Sequence, residues 1–190
     1  QELFVCPLPL YHIYAFTVNL LYLLGIGACN VLIPNPRDID GFVNQLKEHS
    51  FTGMSGINTL FLGLMAHEQF RELDFSHLKM TISGGTTLVA DVANLWTKVT
   101  GSSITEGYGL TETSPVALFN IPGQEEIGAI GVPVKDTEVA IRDGKGEPVK
   151  QGEAGELLVR GPQVMMGYWQ NRQATANAFT YDGFFKTGDI

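Results

Sequence analysis

The stretch KMTISGGTTLVADVANLWTKVTGSSITEG, residues 79–107, decides the fold class. Residues 79–83 read as a short strand, Ser83-Gly84-Gly85-Thr86-Thr87-Leu88 as a turn of small and hydroxyl-bearing residues, 89–99 as a helix and 103–107 as a second strand. A strand, a crossover helix and a returning strand form the unit of a parallel sheet. The same alternation continues towards the N-terminus. Strands are expected at 3–6, 29–33 and 51–54, and helices at 13–24, 38–49 and 57–67. Asp38 is placed to cap its helix, whose Ile39, Phe42, Val43 and Leu46 share one face. Such a chain is α/β, with a mostly parallel sheet and helices on both faces. Parallel strands are covered on both sides, which suits these continuous apolar runs. After about residue 118 Gly and Pro become frequent and the pattern becomes that of hairpins. Strands at 138–142 and 157–160 flank the turn Asp143-Gly144-Lys145-Gly146. Two parts are therefore expected, an α/β part over 1–118 and a small antiparallel β subdomain over 119–190.

Composition narrows the function classes. The 190 residues are 44% hydrophobic and 17% charged, which excludes a disordered chain and a coiled coil. At this length roughly 70% of the unfolded surface can be buried, so a core needs no covalent staples. Twelve basic against twenty acidic residues give a net charge of −8, with no Lys/Arg run, which argues against nucleic acid as a partner. Cys6 and Cys29 make no disulfide framework and read as two buried thiols in a reducing compartment. Residues 13–33 carry no charge and are long enough to span a bilayer. Thr17, Asn19, Asn30, Gly25 and Gly27 interrupt them, and Pro34 and Pro36 close them. A buried helix, a Gly turn and a core strand over 29–33 fit better. The start at Gln1 and the stop at Ile190 read as cuts through a longer polypeptide.

Common catalytic templates fail. His12, His49, His67 and His77 lack metal-ligand spacing, and Gly53-Met54-Ser55-Gly56 is followed by Ile57 where a nucleophile elbow needs Gly. Neither a Walker A loop nor a G-x-G-x-x-G fingerprint occurs. Two Gly/hydroxyl loops remain at expected strand ends, 83–88 and 108–115, and strand carboxyl ends are where open parallel sheets bind ligands. Glycine lets backbone approach a ligand, and N–H groups with hydroxyls hold phosphate oxygens. Glu112 offers a hard oxygen for Mg²⁺, and Tyr108 an aromatic face for a purine.

The run Glu106-Gly107-Tyr108-Gly109-Leu110-Thr111-Glu112-Thr113-Ser114-Pro115 resembles the core motif of the adenylate-forming superfamily. Three further blocks follow its order: Pro9-Leu10-Tyr11-His12; Gly155-Glu156-Leu157-Leu158-Val159-Arg160-Gly161-Pro162 with Gly167-Tyr168-Trp169; and Thr187-Gly188-Asp189. The intervening sequence is similar to bacterial long-chain fatty-acid–CoA ligases over essentially the whole chain. That resemblance implies ATP, Mg²⁺ and coenzyme A. A fatty acid and ATP give an acyl-adenylate and pyrophosphate, and the acyl group then passes to the coenzyme A thiol. It implies that Tyr108 stacks on adenine, that Gly85 and Gly107 line its edge within a nucleotide site including Gly84, Thr86, Glu106 and Gly109, and that Asp189 accepts the ribose hydroxyls. It further implies that Thr111 contacts the α-phosphate, Glu112 ligates Mg²⁺, and His12 sits at the carboxylate end of the acyl site beside the Gly84-Gly85 backbone.

The apolar stretch 57–65 then reads either as an acyl-tunnel wall or as ordinary core. By the same resemblance the phosphate loop lies upstream and the C-terminal domain downstream, so this segment alone is expected to catalyse neither step. Gly183-Phe184-Phe185 departs from the Trp common in relatives, a swap expected to alter packing only. A cytoplasmic location is expected, while peripheral contact with the inner membrane face and a homodimer stay open. Two alternatives also stay open: an adenylating enzyme for an amino or aryl acid, and a non-catalytic interaction protein.

Overall fold

The computed structural model describes residues 2–190. The alternating first part becomes β1 (Leu3–Cys6), α1 (Ile13–Ala15) running on as a π-helix (Phe16–Leu23), β2 (Cys29–Leu32), α2 (Ile39–Lys47), β3 (Gly53–Gly56), α3 (Asn58–Ala66), α4 (Glu68–Arg71), β4 (Met80–Ser83), α5 (Ala90–Thr100) and β5 (Ile104–Gly109). A 3₁₀ turn (Thr111–Thr113), β6 (Val116–Phe119) and β7 (Val132–Pro133) follow, then β8 (Glu138–Arg142), β9 (Glu156–Arg160), α6 (Arg172–Ala178) and β10 (Phe185–Lys186). The larger sheet has the order β2-β1-β3-β4-β5-β6-β7, and its first five strands pair in parallel. The smaller sheet, β10-β9-β8, is antiparallel. The α/β reading with a small antiparallel sheet holds.

Two compact units divide the chain: residues 1–108 with 118–132, and residues 109–117 with 133–190. In the first, successive strand residues face opposite layers. Val5 joins Met54 and Ile104 in a cluster with Phe42, Leu46, Phe61, Leu64 and Trp96, so α2, α3 and α5 cover one side. Phe4 joins Ile82 in a second cluster with Tyr14 and Leu23, so the helix after β1 covers the other. Asp38 caps α2 as expected, its Oδ1 accepting the Gly41 N–H at 3.0 Å.

Leu60, Phe61, Leu64 and Met65 of α3 are all core, and the Phe61 ring packs tilted against Trp96 with centroids 4.8 Å apart. Of the two readings of 57–65, ordinary core describes these four side chains. The strand expected as core at 29–33 is instead the edge strand β2, with β1 as its one neighbour. Cys29 is consequently exposed while Cys6 is buried, which corrects the expectation of two buried thiols. The helix over 13–24 forms, and among the described residues no helix is long and apolar enough to cross a membrane.

In the second unit the turn at Asp143 forms with its side chain accepting the N–H groups of Lys145 and Glu147, both at 2.9 Å. It does not lead straight into β9, as a two-stranded hairpin would. The chain first returns along β8, where Val149 N–H donates to the Ile141 carbonyl, and enters β9 only at Glu156. Phe184 is buried under two guanidiniums, with Arg160 Cζ 4.4 Å and Arg142 Cζ 5.2 Å from its ring centroid. Asp182 binds Arg142 through both oxygens, at 3.1 and 2.5 Å, which holds its carboxyl far below the usual range. Phe184 thus sits in a cation-lined packing position.

Candidate functional site

In the first unit the candidate residues stand where parallel strands end. The chain leaves β1 at Cys6 and reaches His12, which is exposed and caps α1. His12 Nδ1 accepts the Tyr14 N–H at 3.2 Å. In the neutral ring that bond puts the proton on Nε2, where it can be donated to a carboxylate oxygen. Tyr14, which no sequence pattern had singled out, is buried and donates its hydroxyl to the Ile82 carbonyl at 3.0 Å. Burial raises its phenol above the ordinary value. One aromatic residue therefore ties the His12 segment to the C-terminal end of β4.

The loop after β4 is held from both sides. A Cβ on Gly84 would meet the Gly107 carbonyl and the Tyr14 ring, each at 3.4 Å, while Gly85 takes a positive φ of 82° facing open space. Asn58, at the start of α3, donates to the Thr87 carbonyl at 2.6 Å and accepts the Val89 N–H at 3.0 Å. Thr86 is exposed beside it. Glu106 is 5% exposed, and its Oε1 accepts the Leu88 N–H at 2.8 Å. Burial pushes its carboxyl up. Ser83 and Glu106 are register partners on β4 and β5, and Ser83 Oγ and Glu106 Oε2 are both buried without a hydrogen bond among the described residues. Glu106 therefore turns its carboxylate inward, where it fixes the far end of the Gly-Gly loop. Gly107 keeps its place because a Cβ would press on the Phe119 ring at 2.8 Å, and Tyr108 beside it is half-buried.

The second unit begins one residue later. A Cβ on Gly109 would overlap the Pro115 carbonyl oxygen. Thr113 is fully buried and its hydroxyl accepts the Leu110 N–H at 2.8 Å while lying against that same Pro115 carbonyl. This clamp turns Thr111 outward, with Glu112 half-buried next to it. The Glu112 carbonyl accepts the Met165 N–H at 2.8 Å, and its Oε1 accepts the Tyr168 hydroxyl at 2.9 Å. Thr187-Gly188-Asp189 runs back along β9: Leu157 N–H donates to the Asp189 carbonyl at 2.9 Å, and Thr187 Oγ1 accepts the Asp189 N–H at 3.0 Å. The Asp189 side chain lies at the surface.

Residues 1–169 match the family described as AMP-binding enzyme. The chain belongs to that family. This AMP-binding chain is 48% identical, over 98% of its length, to a long-chain-fatty-acid–CoA ligase of Haemophilus influenzae. It is 47% identical over its full length to the enzyme of that name from Yersinia pestis. It spans about a third of each, 33% and 34%. A crystal structure of an anthranilate CoA ligase in complex with anthranoyl-AMP superposes with a TM-score of 0.91 at 25% identity, over 99% of this chain and 36% of that one.

Within the AMP-binding chain, the first unit thus carries His12, Gly84, Gly85, Thr86, Glu106, Gly107 and Tyr108, and the second carries Gly109, Thr111, Glu112 and Asp189. Among the described residues no three His, Cys, Asp or Glu side chains gather as a metal-binding group. Mg²⁺ commonly keeps several waters and takes one or two protein carboxylates, with substrate phosphates completing its shell. A single half-buried carboxylate at a turn, with Oε2 making no hydrogen bond among the described residues, fits that donor set.

Proposed function

We propose that this chain is the adenylate-holding part of a long-chain fatty-acid–CoA ligase. Near-50% identity to such enzymes along the whole chain carries the reading. In the first half-reaction a fatty carboxylate oxygen attacks the α-phosphorus of ATP, and the bond to the bridging oxygen breaks to release pyrophosphate. In the second, the coenzyme A sulfur attacks the acyl carbon, its proton is lost and AMP leaves.

Both partners of the first step are anions, so positioning and charge neutralisation dominate the barrier. Tyr108 offers its ring to adenine, and the Gly84-Gly85 and Gly107 backbone lines the edge of the base. Thr111, turned outward by the Thr113 clamp, donates to an α-phosphate oxygen. His12 donates from Nε2 to the incoming carboxylate, its other nitrogen being engaged by Tyr14. Asp189 accepts from the ribose hydroxyls. Glu112 would hold Mg²⁺, which when bound draws charge from the phosphate oxygens as the transition state forms. A cytoplasmic location, where ATP and coenzyme A are at hand, is part of the same proposal.

The test is fatty-acid-dependent ATP–pyrophosphate exchange by a full-length chain carrying this segment, with long-chain, amino and aryl acids in parallel. Long acids should support exchange, and Glu112→Ala should lower it by about 100-fold or more. Exchange only with aryl acids would favour instead the chemistry named for the superposed anthranilate ligase. Silence with every acid would remove the functional reading.

A further inference from the structure

Glu112 is held twice by a segment far away in sequence. Besides the backbone bond from Met165, its carboxylate accepts the hydroxyl of Tyr168, 56 residues downstream in the same unit. Tyr168 is itself built into place. Gly167 precedes it with φ 152°, where a Cβ would press on Thr175. The Tyr168 N–H donates to Thr175 Oγ1 at 2.9 Å, and that hydroxyl donates to the Asn171 carbonyl at 2.9 Å. Asn171 in turn caps α6, accepting the Ala174 N–H at 3.0 Å. A helix N-terminus thus anchors the tyrosine, and the tyrosine reaches a single oxygen of a single carboxylate. The bond raises the phenol above its ordinary value, the direction expected when an O–H donates to an anion.

We infer that Tyr168 is a positioning residue for Glu112, its phenol holding Oε1 so that Oε2 is presented in one orientation to the divalent cation. The inference rests on the reading of Glu112 as a metal ligand. A glutamate has three rotatable side-chain bonds and, at a half-exposed turn, would otherwise sample several rotamers. Partners that orient a ligating carboxylate change metal affinity by about 10- to 100-fold when removed. A mere surface tie between 112 and 168 would leave cation affinity untouched.

The discriminating experiment measures Mn²⁺ binding by electron paramagnetic resonance in the full-length chain, in the presence of a non-hydrolysable ATP analogue. Tyr168→Phe deletes one oxygen from an exposed side chain, and circular dichroism checks that the fold is kept. Its Mn²⁺ dissociation constant should rise about tenfold or more. The Mg²⁺ concentration giving half-maximal exchange should rise in step, with excess Mg²⁺ restoring most of the rate. In an otherwise unaltered chain carrying 3-fluorotyrosine at 168, the fluorine resonance should move as Mg²⁺ is added, a readout that survives even if Tyr168→Phe misfolds. Weakened Mn²⁺ binding in Glu112→Ala but unchanged binding in Tyr168→Phe would overturn the positioning role alone. Unchanged Mn²⁺ binding in Glu112→Ala would overturn the metal reading of Glu112, and the role of Tyr168 with it.

Discussion

Gly109 is the residue at which the loop is least forgiving. The carbonyl that its absent Cβ would strike belongs to Pro115, and Pro115 is pinned by the buried Thr113 hydroxyl, so neither side can yield cheaply. Gly109→Ala should therefore destabilise by roughly 1–3 kcal/mol, the usual range for overpacking, and lower the thermal midpoint of the second unit. Scanning calorimetry with an unchanged midpoint would show that the turn can relax. At this scale the sequence was informative for glycines and hydroxyls inside the motif, because their chemistry is local. It was silent on Tyr14 and on the Glu112–Tyr168 pair. Those contacts join positions 68 and 56 residues apart, and nothing local to one partner points to the other.

Among the elements, the π-wound helix Phe16–Leu23 has the least sequence signal. Its residues are apolar nearly all round, so no periodicity distinguishes one winding from another. Its one fully buried polar side chain, Asn19, accepts the Ser55 hydroxyl at 3.0 Å and donates to Asn30 Oδ1 at 3.3 Å. Asn30 Nδ2 returns a bond to the Asn19 carbonyl at 2.8 Å. This network joins the helix, β2 and β3. Asn19→Ala leaves a buried Ser55 hydroxyl without its acceptor and should cost about 1–3 kcal/mol in urea unfolding. A loss below about 0.5 kcal/mol would mean that water replaces the amide. The strand β2 teaches a related lesson. Val31 and Leu32 are as apolar as a central strand, yet the sheet order leaves them at an edge, and sheet order is a property of the ensemble of strands.

For the molecule as a whole, the repeated strand–helix order was sufficient to give a parallel sheet with two apolar layers, because each crossover helix has to bury its face against that sheet. The pH dependence of stability also belongs to this scale. Burial raises the Glu106 carboxyl, so the folded chain holds this proton more tightly than the unfolded chain does. The contribution of Glu106 to stability is then greatest below the unfolded value of about 4.3 and declines as pH rises through its raised folded value. Glu106→Gln keeps an acceptor for the Leu88 N–H and removes the titration. The variant should gain on the parent chain in urea titrations as pH rises from about 4.3, until the raised folded value has been passed. Parallel curves across that range would mean that the carboxyl does not titrate differently on folding.

The route of the chain through its two units has a consequence for synthesis. The polypeptide passes from one to the other at 108/109, 117/118 and 132/133, so neither unit is a continuous stretch. On the ribosome the first unit lacks its final strand residues until residue 132 has emerged. The nine residues 109–117, which include Thr111 and Glu112, are by then already made. They must wait as an excursion from a nearly finished unit until 133–190 arrive to complete theirs. The 109–117 loop is thus translated some fifty residues before its structural partners, Met165 and Tyr168 among them.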